Sequence, residues 1–225
     1  GCMGCHGSNL AMGRAFMDAQ SPLGVLYTAN LTSGKGGINY TDQDWIRVLR
    51  HGLNRQNKSV WFMPSHEIYH ISNEELEDLI CFLKQQPTVD KIITPHSIKP
   101  LGRVLTFFNQ YPLLPAEMIN HNAVYKGKIQ PTVTASYGQY LATTCQGCHG
   151  QNFKGAPSHA KNEPAIPNIT STGDIGRWND QQFIHVFHTG ETPEGKHLST
   201  IMPWKEFTFT NNELKSIYLY LHQLK

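Results

Sequence analysis

Cys2-Met3-Gly4-Cys5-His6 opens the chain, and Cys145-Gln146-Gly147-Cys148-His149 repeats the pattern 143 residues later. Two thiols three positions apart can form thioethers with the two vinyl groups of one porphyrin, and the next residue places an imidazole under its iron. A Met-Pro pair follows each motif: Met63 comes 57 residues after His6, and Met202 comes 53 after His149. A chain that has wrapped one porphyrin returns there to the open face of the metal. Thioether sulfur is a soft ligand that favours Fe(II) and raises the potential. The reading is two covalently bound haem c groups, attached at Cys2 and Cys5 and at Cys145 and Cys148. His6 and Met63 bind the first iron, and His149 and Met202 the second.

The repetition extends beyond the motifs. Asn30-Leu31-Thr32 matches Asn168-Ile169-Thr170 at an offset of 138, which also pairs Asp42 with Asp180, Ile46 with Ile184, Gly52 with Gly190 and Leu76 with Leu214. Thr41 and Asp44 predict the start of a helix that carries Trp45, Ile46 and Leu49 and stops at Gly52. Asn179 starts its counterpart, with Phe183, Ile184 and Phe187 before Gly190. Both should line a haem. Ser72 with Glu75, and Thr210 with Glu213, are capping boxes for the last helix of each unit, the first running to Pro87 and the second almost to the chain end. The stretch from Ser136 to Cys145 predicts an N-terminal helix in the second repeat that the first lacks. A missing preceding piece is therefore expected, with that helix and a signal peptide, lipid anchor or membrane helix.

Between the repeats the chain carries Pro95, Pro100, Pro112, Pro115 and Pro131 without a clear strand pattern. The expected organisation is a first domain over 1–87, a proline-rich linker over 88–134 and a second domain over 135–225. Leu101, Val104, Leu105, Phe107, Phe108, Leu113 and Leu114 are too apolar for a free tether, so the linker is expected to pack along both domains. At 225 residues, 39% hydrophobic and 16% charged, the chain suits two small domains that each need a group beyond their own core. With 19 Lys+Arg against 17 Asp+Glu the net charge is +2, and haem propionates bring it to about neutral, so no nucleic-acid partner is implied. Cys81, among Leu79, Ile80, Phe82 and Leu83, is expected on a buried helix face, and no disulfide is expected. No run of 18 apolar residues suggests a membrane span.

On these motifs the chain resembles a dihaem cytochrome c, all-α, built from two tandem class I cytochrome c domains. Pro22-Leu23-Gly24, Asn30-Leu31-Thr32, Trp178, Met202-Pro203-Trp204 and the helix from Glu213 to Leu221 are similar to cytochrome subunits that accept electrons from periplasmic or membrane dehydrogenases. The resemblance implies a proline carbonyl that receives the other N–H of the iron-binding histidine, with Pro22 and Pro164 as the equivalents here. It implies Asn30, Asn168, Trp45 and Trp178 in the haem environment. It also implies a periplasmic or extracytoplasmic location and redox-protein partners, a membrane dehydrogenase or terminal oxidase among them.

Other readings of single motifs are weaker. Neither Cys pair has the second Cys or His pair of a structural zinc site. His66-Glu67-Ile68-Tyr69-His70 satisfies a zinc-protease pattern, yet the corresponding Lys205 to Phe209 has no histidine. His66 and His70 are instead the alternatives to Met63 on the first iron. Gly34, Gly36 and Gly37 lack the ending of a phosphate-binding loop and read as a turn near the haem edge. The expected function is outer-sphere electron relay between a donor and a respiratory acceptor. The competing readings are a dihaem peroxidase or small-substrate oxidoreductase with one open haem, and an electron-carrying subunit inseparable from a larger assembly.

Overall fold

The computed structural model describes residues 2–108, 114–157 and 164–225. Pro112 and Leu113 lie outside the described residues. The chain divides into two compact units, Gly1–Lys128 and Ile129–Lys225.

The first unit begins with the short helix α1 (Cys2–His6), followed by strands β1 (Ala15–Met17) and β2 (Gly24–Tyr27). Helices α2 (Asp42–His51), α3 (Ser65–Ile68) and α4 (Asn73–Lys84) come next, then β3 (Ser97–Ile98) and α5 (Pro100–Phe107). Helix α2 opens at a complete Thr41/Asp44 capping box and closes at Gly52 in the left-handed region, φ 64°. Helix α4 opens at the Ser72/Glu75 box. Trp45, Val48 and Leu49 of α2 meet Leu76, Ile80 and Leu83 of α4 in one core, which Leu10 and Leu31 complete.

The all-α expectation is corrected for this unit. β2 pairs antiparallel with β1, Ala15 opposite Tyr27, and with β3, Gly24 opposite Ile98. Leu26, Met17 and Ile98 form a separate small cluster under this sheet. Burying an aliphatic side chain contributes about 1.5–3 kcal/mol, which steadies strands too short to persist alone. The β2–β3 pairing joins residues more than 70 positions apart, which no local pattern reveals.

The expected linker over 88–134 is also redistributed. Residues to Lys128 belong to the first unit and the rest to the second. Asn30 Nδ2 donates to the Val89 carbonyl at 2.8 Å, and Asn73 N donates to the Lys126 carbonyl at 2.9 Å. Pro100 and Pro115 serve as first residues of α5 and of a 3-10 turn, Pro115–Met118, where the missing N–H costs nothing. On α5 the buried residue is Gly102, while Leu101, Val104 and Phe107 of the apolar block, and Phe108 just beyond the helix, are exposed. Cys81 also departs from expectation. It lies on the exposed side of α4, its sulfur 3.0 Å from Gln85 Nε2, because Ile80 and Leu83 take the inward positions.

The second unit carries helices α6 (Ala135–Ala142), α7 (Gln146–His149), α8 (Asp180–Thr189) and α9 (Asn211–Leu221). Capping boxes at Asn179/Gln182 and Thr210/Glu213 start α8 and α9. Helix α6 crosses α9 at Gly138, where a Cβ would stand 1.8 Å from the Ser216 carbonyl oxygen. Tyr137 Oη donates to Glu213 Oε1 at 3.2 Å beside the crossing. Phe183, Ile184, Val186, Leu214, Ile217 and Leu221 are the centre of the core.

Gly138→Ala should cost about 1–3 kcal/mol or more, because the helices must separate; urea unfolding measures it, and an unchanged midpoint would contradict the close crossing. In the first unit, Asp44 accepts from Arg55 Nη2 at 2.8 Å and from Thr41 Oγ1 at 2.7 Å. The Arg55 guanidinium, then Thr41, hold its carboxyl well below the usual carboxylate range. A depressed pKa adds stability above the unfolded-chain value and loses it as pH falls through the folded one. Asp44→Asn should therefore melt below the parent at neutral pH, with the gap closing only below about pH 4; melts from pH 7 to pH 2 test this, and a gap independent of pH would refute it.

Candidate haem-binding sites

His6 ends α1, and its Nδ1 donates to the Ala29 carbonyl at 2.8 Å. His149 ends α7, and its Nδ1 donates to the Pro167 carbonyl at 2.9 Å. In each case the bond assigns the proton to Nδ1 and leaves the Nε2 lone pair for a metal. Burial pushes both imidazoles down, with the carbonyl bond opposing, so the ring stays neutral as an iron ligand requires. These acceptors correct the assignment of Pro22 and Pro164. Pro22 sits exposed in the turn entering β2, where Ser21 Oγ accepts from Leu23 N at 3.2 Å, and Pro164 is exposed too.

The carbonyl that receives each histidine belongs to the residue before Asn30 or Asn168, and those asparagines explain why it stays in place. Asn30 Oδ1 accepts from Thr32 N at 3.0 Å and Thr32 Oγ1 at 2.8 Å. Asn168 Oδ1 accepts from Thr170 N and Oγ1, both at 2.8 Å. Leu31 N donates to the Leu10 carbonyl at 2.8 Å and Ile169 N to the Phe153 carbonyl at 2.9 Å, each acceptor residue having positive φ. Asn30 and Asn168, expected in the haem environment, shape the loop behind the histidine. The glycine turn at Gly34–Gly37 packs on the backbone of residues 89–92, so in the first unit it anchors the added segment.

Met63 and Met202 are half-buried and lead into the same turn. Ser65 N donates to the Met63 carbonyl at 2.7 Å and Glu67 N to that of Pro64 at 2.9 Å; Trp204 N and Glu206 N donate to Met202 and Pro203, both at 2.9 Å. Cys2 and Met63 both border the core that contains Trp45. Cys145 borders the core that contains Trp178. The two tryptophans are not repeat mates: at the 138 offset Trp45 corresponds to Phe183, and Trp178 to Tyr40. Trp178 Nε1 donates to Glu194 Oε1 at 3.1 Å.

The donor set fits covalent haem c in both units. Two thiols at i and i+3 supply thioether sulfurs, the adjacent imidazole is tautomer-fixed by a backbone carbonyl, and a half-buried methionine thioether precedes the same proline turn in each unit, Met63 also packing on the first core.

One substitution between the units escaped the sequence. Gly190, φ 74°, lies under the Trp204 ring, where a Cβ would approach within 2.3 Å. At Gly52 the neighbour is Ala116, within 3.1 Å of that position. Ser65 stands after Met63-Pro64 where Trp204 follows Met202-Pro203, and its Oγ donates to the Val48 carbonyl at 2.9 Å.

His66 lies on α3, and His70 lies beyond the end of that helix. Among the described residues no group of three His, Cys, Asp or Glu is arranged to hold a metal. His66 Nδ1 is buried with no hydrogen-bond partner, and its Nε2 lies 3.8 Å from Glu67 Oε1. No helix among the described residues is long and apolar enough to cross a membrane.

No curated protein matches the chain. Residues 135–225 match the cytochrome c family model, which supports a cytochrome c-like second unit and points to a covalently attached haem and an electron-transfer role there.

Proposed function

We propose that the chain carries two haem c groups and relays single electrons between a donor and an acceptor redox protein. The observation that supports this reading is the recurrence, around His6 and around His149, of one hydrogen-bonded frame. The ring-to-carbonyl bond, the Asn-x-Thr loop and the Met-Pro turn are built twice from corresponding positions. The family match covers the second unit, and this recurrence extends the reading to the first.

Haem, when attached, supplies a one-electron Fe(III)/Fe(II) couple whose potential the axial ligands set. Cys2 and Cys5, and Cys145 and Cys148, hold the two macrocycles. His6 and His149 offer neutral imidazoles fixed by carbonyls, which makes them stronger donors. Met63 and Met202 complete the sets and close the metals to small molecules, which favours electron relay over peroxidase chemistry. Covalent attachment places the protein outside the bacterial cytoplasm, with a periplasmic or membrane dehydrogenase and a respiratory oxidase as the classes of partner.

For the first unit a specific observation favours a second ligand: the buried, unpartnered Nδ1 of His66, three residues beyond Met63. The Met202→Ala protein should keep its covalent haem but lose methionine ligation at one iron, so that carbon monoxide binds about half the reduced haem while the parent does not respond. Visible spectra record this, and an unaltered spectrum and potential in Met202→Ala would remove Met202 as a ligand. Met63→Ala separates the two readings of the first unit, opening its haem to carbon monoxide if Met63 is the ligand and leaving it closed if His66 is.

A further inference from the structure

We propose that His51 and His121 form a surface site for a divalent transition-metal ion of the Zn2+ class, independent of the haem reading. His51 is the last residue of α2, and His121 follows the 3-10 turn Pro115–Met118. Their Nδ1 atoms are 3.1 Å apart, with ring centroids at 5.3 Å and planes inclined by 31°.

The tautomers follow from the contacts. His121 Nε2 donates to the Ala116 carbonyl at 3.0 Å, so neutral His121 carries its lone pair on Nδ1, facing His51. A backbone carbonyl on the remote ring nitrogen is the usual support for a metal-binding imidazole. In the metal-free protein His51 Nδ1 donates its proton to His121 Nδ1, and metal binding moves that proton to His51 Nε2, leaving both rings neutral. A metal ion can take the proton's place, because zinc–nitrogen bonds of about 2.05 Å put two ligands about 2.9 Å apart at a right angle and about 3.3 Å at the tetrahedral angle. The observed separation lies between these limits.

The frame that carries the rings does not depend on them. Gly52, directly after His51, approaches Ala116 so closely that a Cβ would stand 3.1 Å from its backbone nitrogen. The Val60 N–H donates to the Gly52 carbonyl at 2.8 Å and holds that turn. Burial first, then electrostatic repulsion within the pair with His121 and from Arg50 and Arg47, pushes His51 down and keeps it available as a ligand near neutral pH. Among the described residues no third His, Cys, Asp or Glu joins the pair. Water therefore fills the remaining positions. At the 138 offset His51 corresponds to Thr189, so the site belongs to the first unit alone. A bound ion would tie α2 to the segment around residues 115–121.

The test is calorimetric titration of the chelator-washed holoprotein with Zn2+ at pH 7.5. The parent and His185→Ala, an exposed control, should each bind one ion per chain. His51→Gln and His121→Ala should both weaken binding at least tenfold, and Zn2+ should raise the melting temperature of the parent but of neither variant. Failure of the parent to bind Zn2+, or undiminished binding in either His51→Gln or His121→Ala, would overturn the proposal; His121 is exposed, so His121→Ala guards against a loss caused by misfolding.

Discussion

The hydrogen bond from each motif histidine to a loop carbonyl, His6 to Ala29 and His149 to Pro167, is the constraint on which the rest of each unit depends. It fixes which ring nitrogen is available, sets the plane of the ring, and requires the chain to return to the motif helix some 20 residues later. That return needs a rigid loop. Asn30 and Asn168 provide it by taking up the Thr32 and Thr170 amides and hydroxyls, and the positive-φ residues Leu10 and Phe153 offer carbonyls to the next residue of the loop. A buried polar group with all its partners is rigid, and one left unpaired is costly.

The two units satisfy the constraint with different surroundings. In the second, α6 and α9 cross at Gly138, and Trp204 covers Gly190. In the first, residues 88–108 and 114–128 fold back onto the unit: Val89 receives the Asn30 amide, Ile98 extends the sheet, and Ala116 reaches Gly52. Buried Arg50 shows the same exchange on a smaller scale. It donates to the Ser72 carbonyl and to Asn73 Oδ1, while His188, its counterpart at the 138 offset, faces Asn211 Oδ1 at 2.8 Å. One contact is thus kept by different side chains.

Much of this was legible in the sequence because the signals were local. Helix starts are written in four-residue capping boxes, and Thr41/Asp44, Ser72/Glu75 and Thr210/Glu213 appear as read. The Cys-x-x-Cys-His pattern carries its chemistry within five residues. What escaped was non-local. The sheet joins residues 15–27 to 97–98, and a proline-rich stretch gives no periodicity from which to expect it. The choice of Pro22 and Pro164 followed residue type, whereas the backbone position that matters is the one before Asn-x-Thr, occupied by Ala29 as readily as by Pro167. The Asn-Leu-Thr and Asn-Ile-Thr match already contained that register.

The central claim is that both motifs carry haem. The most direct measurement is the intact mass of the denatured holoprotein, produced with the haem-attachment machinery of a bacterial periplasm. Two haem masses per chain, each lost when its own cysteine pair is replaced, is the result the account predicts. A mass showing a single haem, retained after replacement of Cys2 and Cys5, would contradict it and leave the first unit without its group.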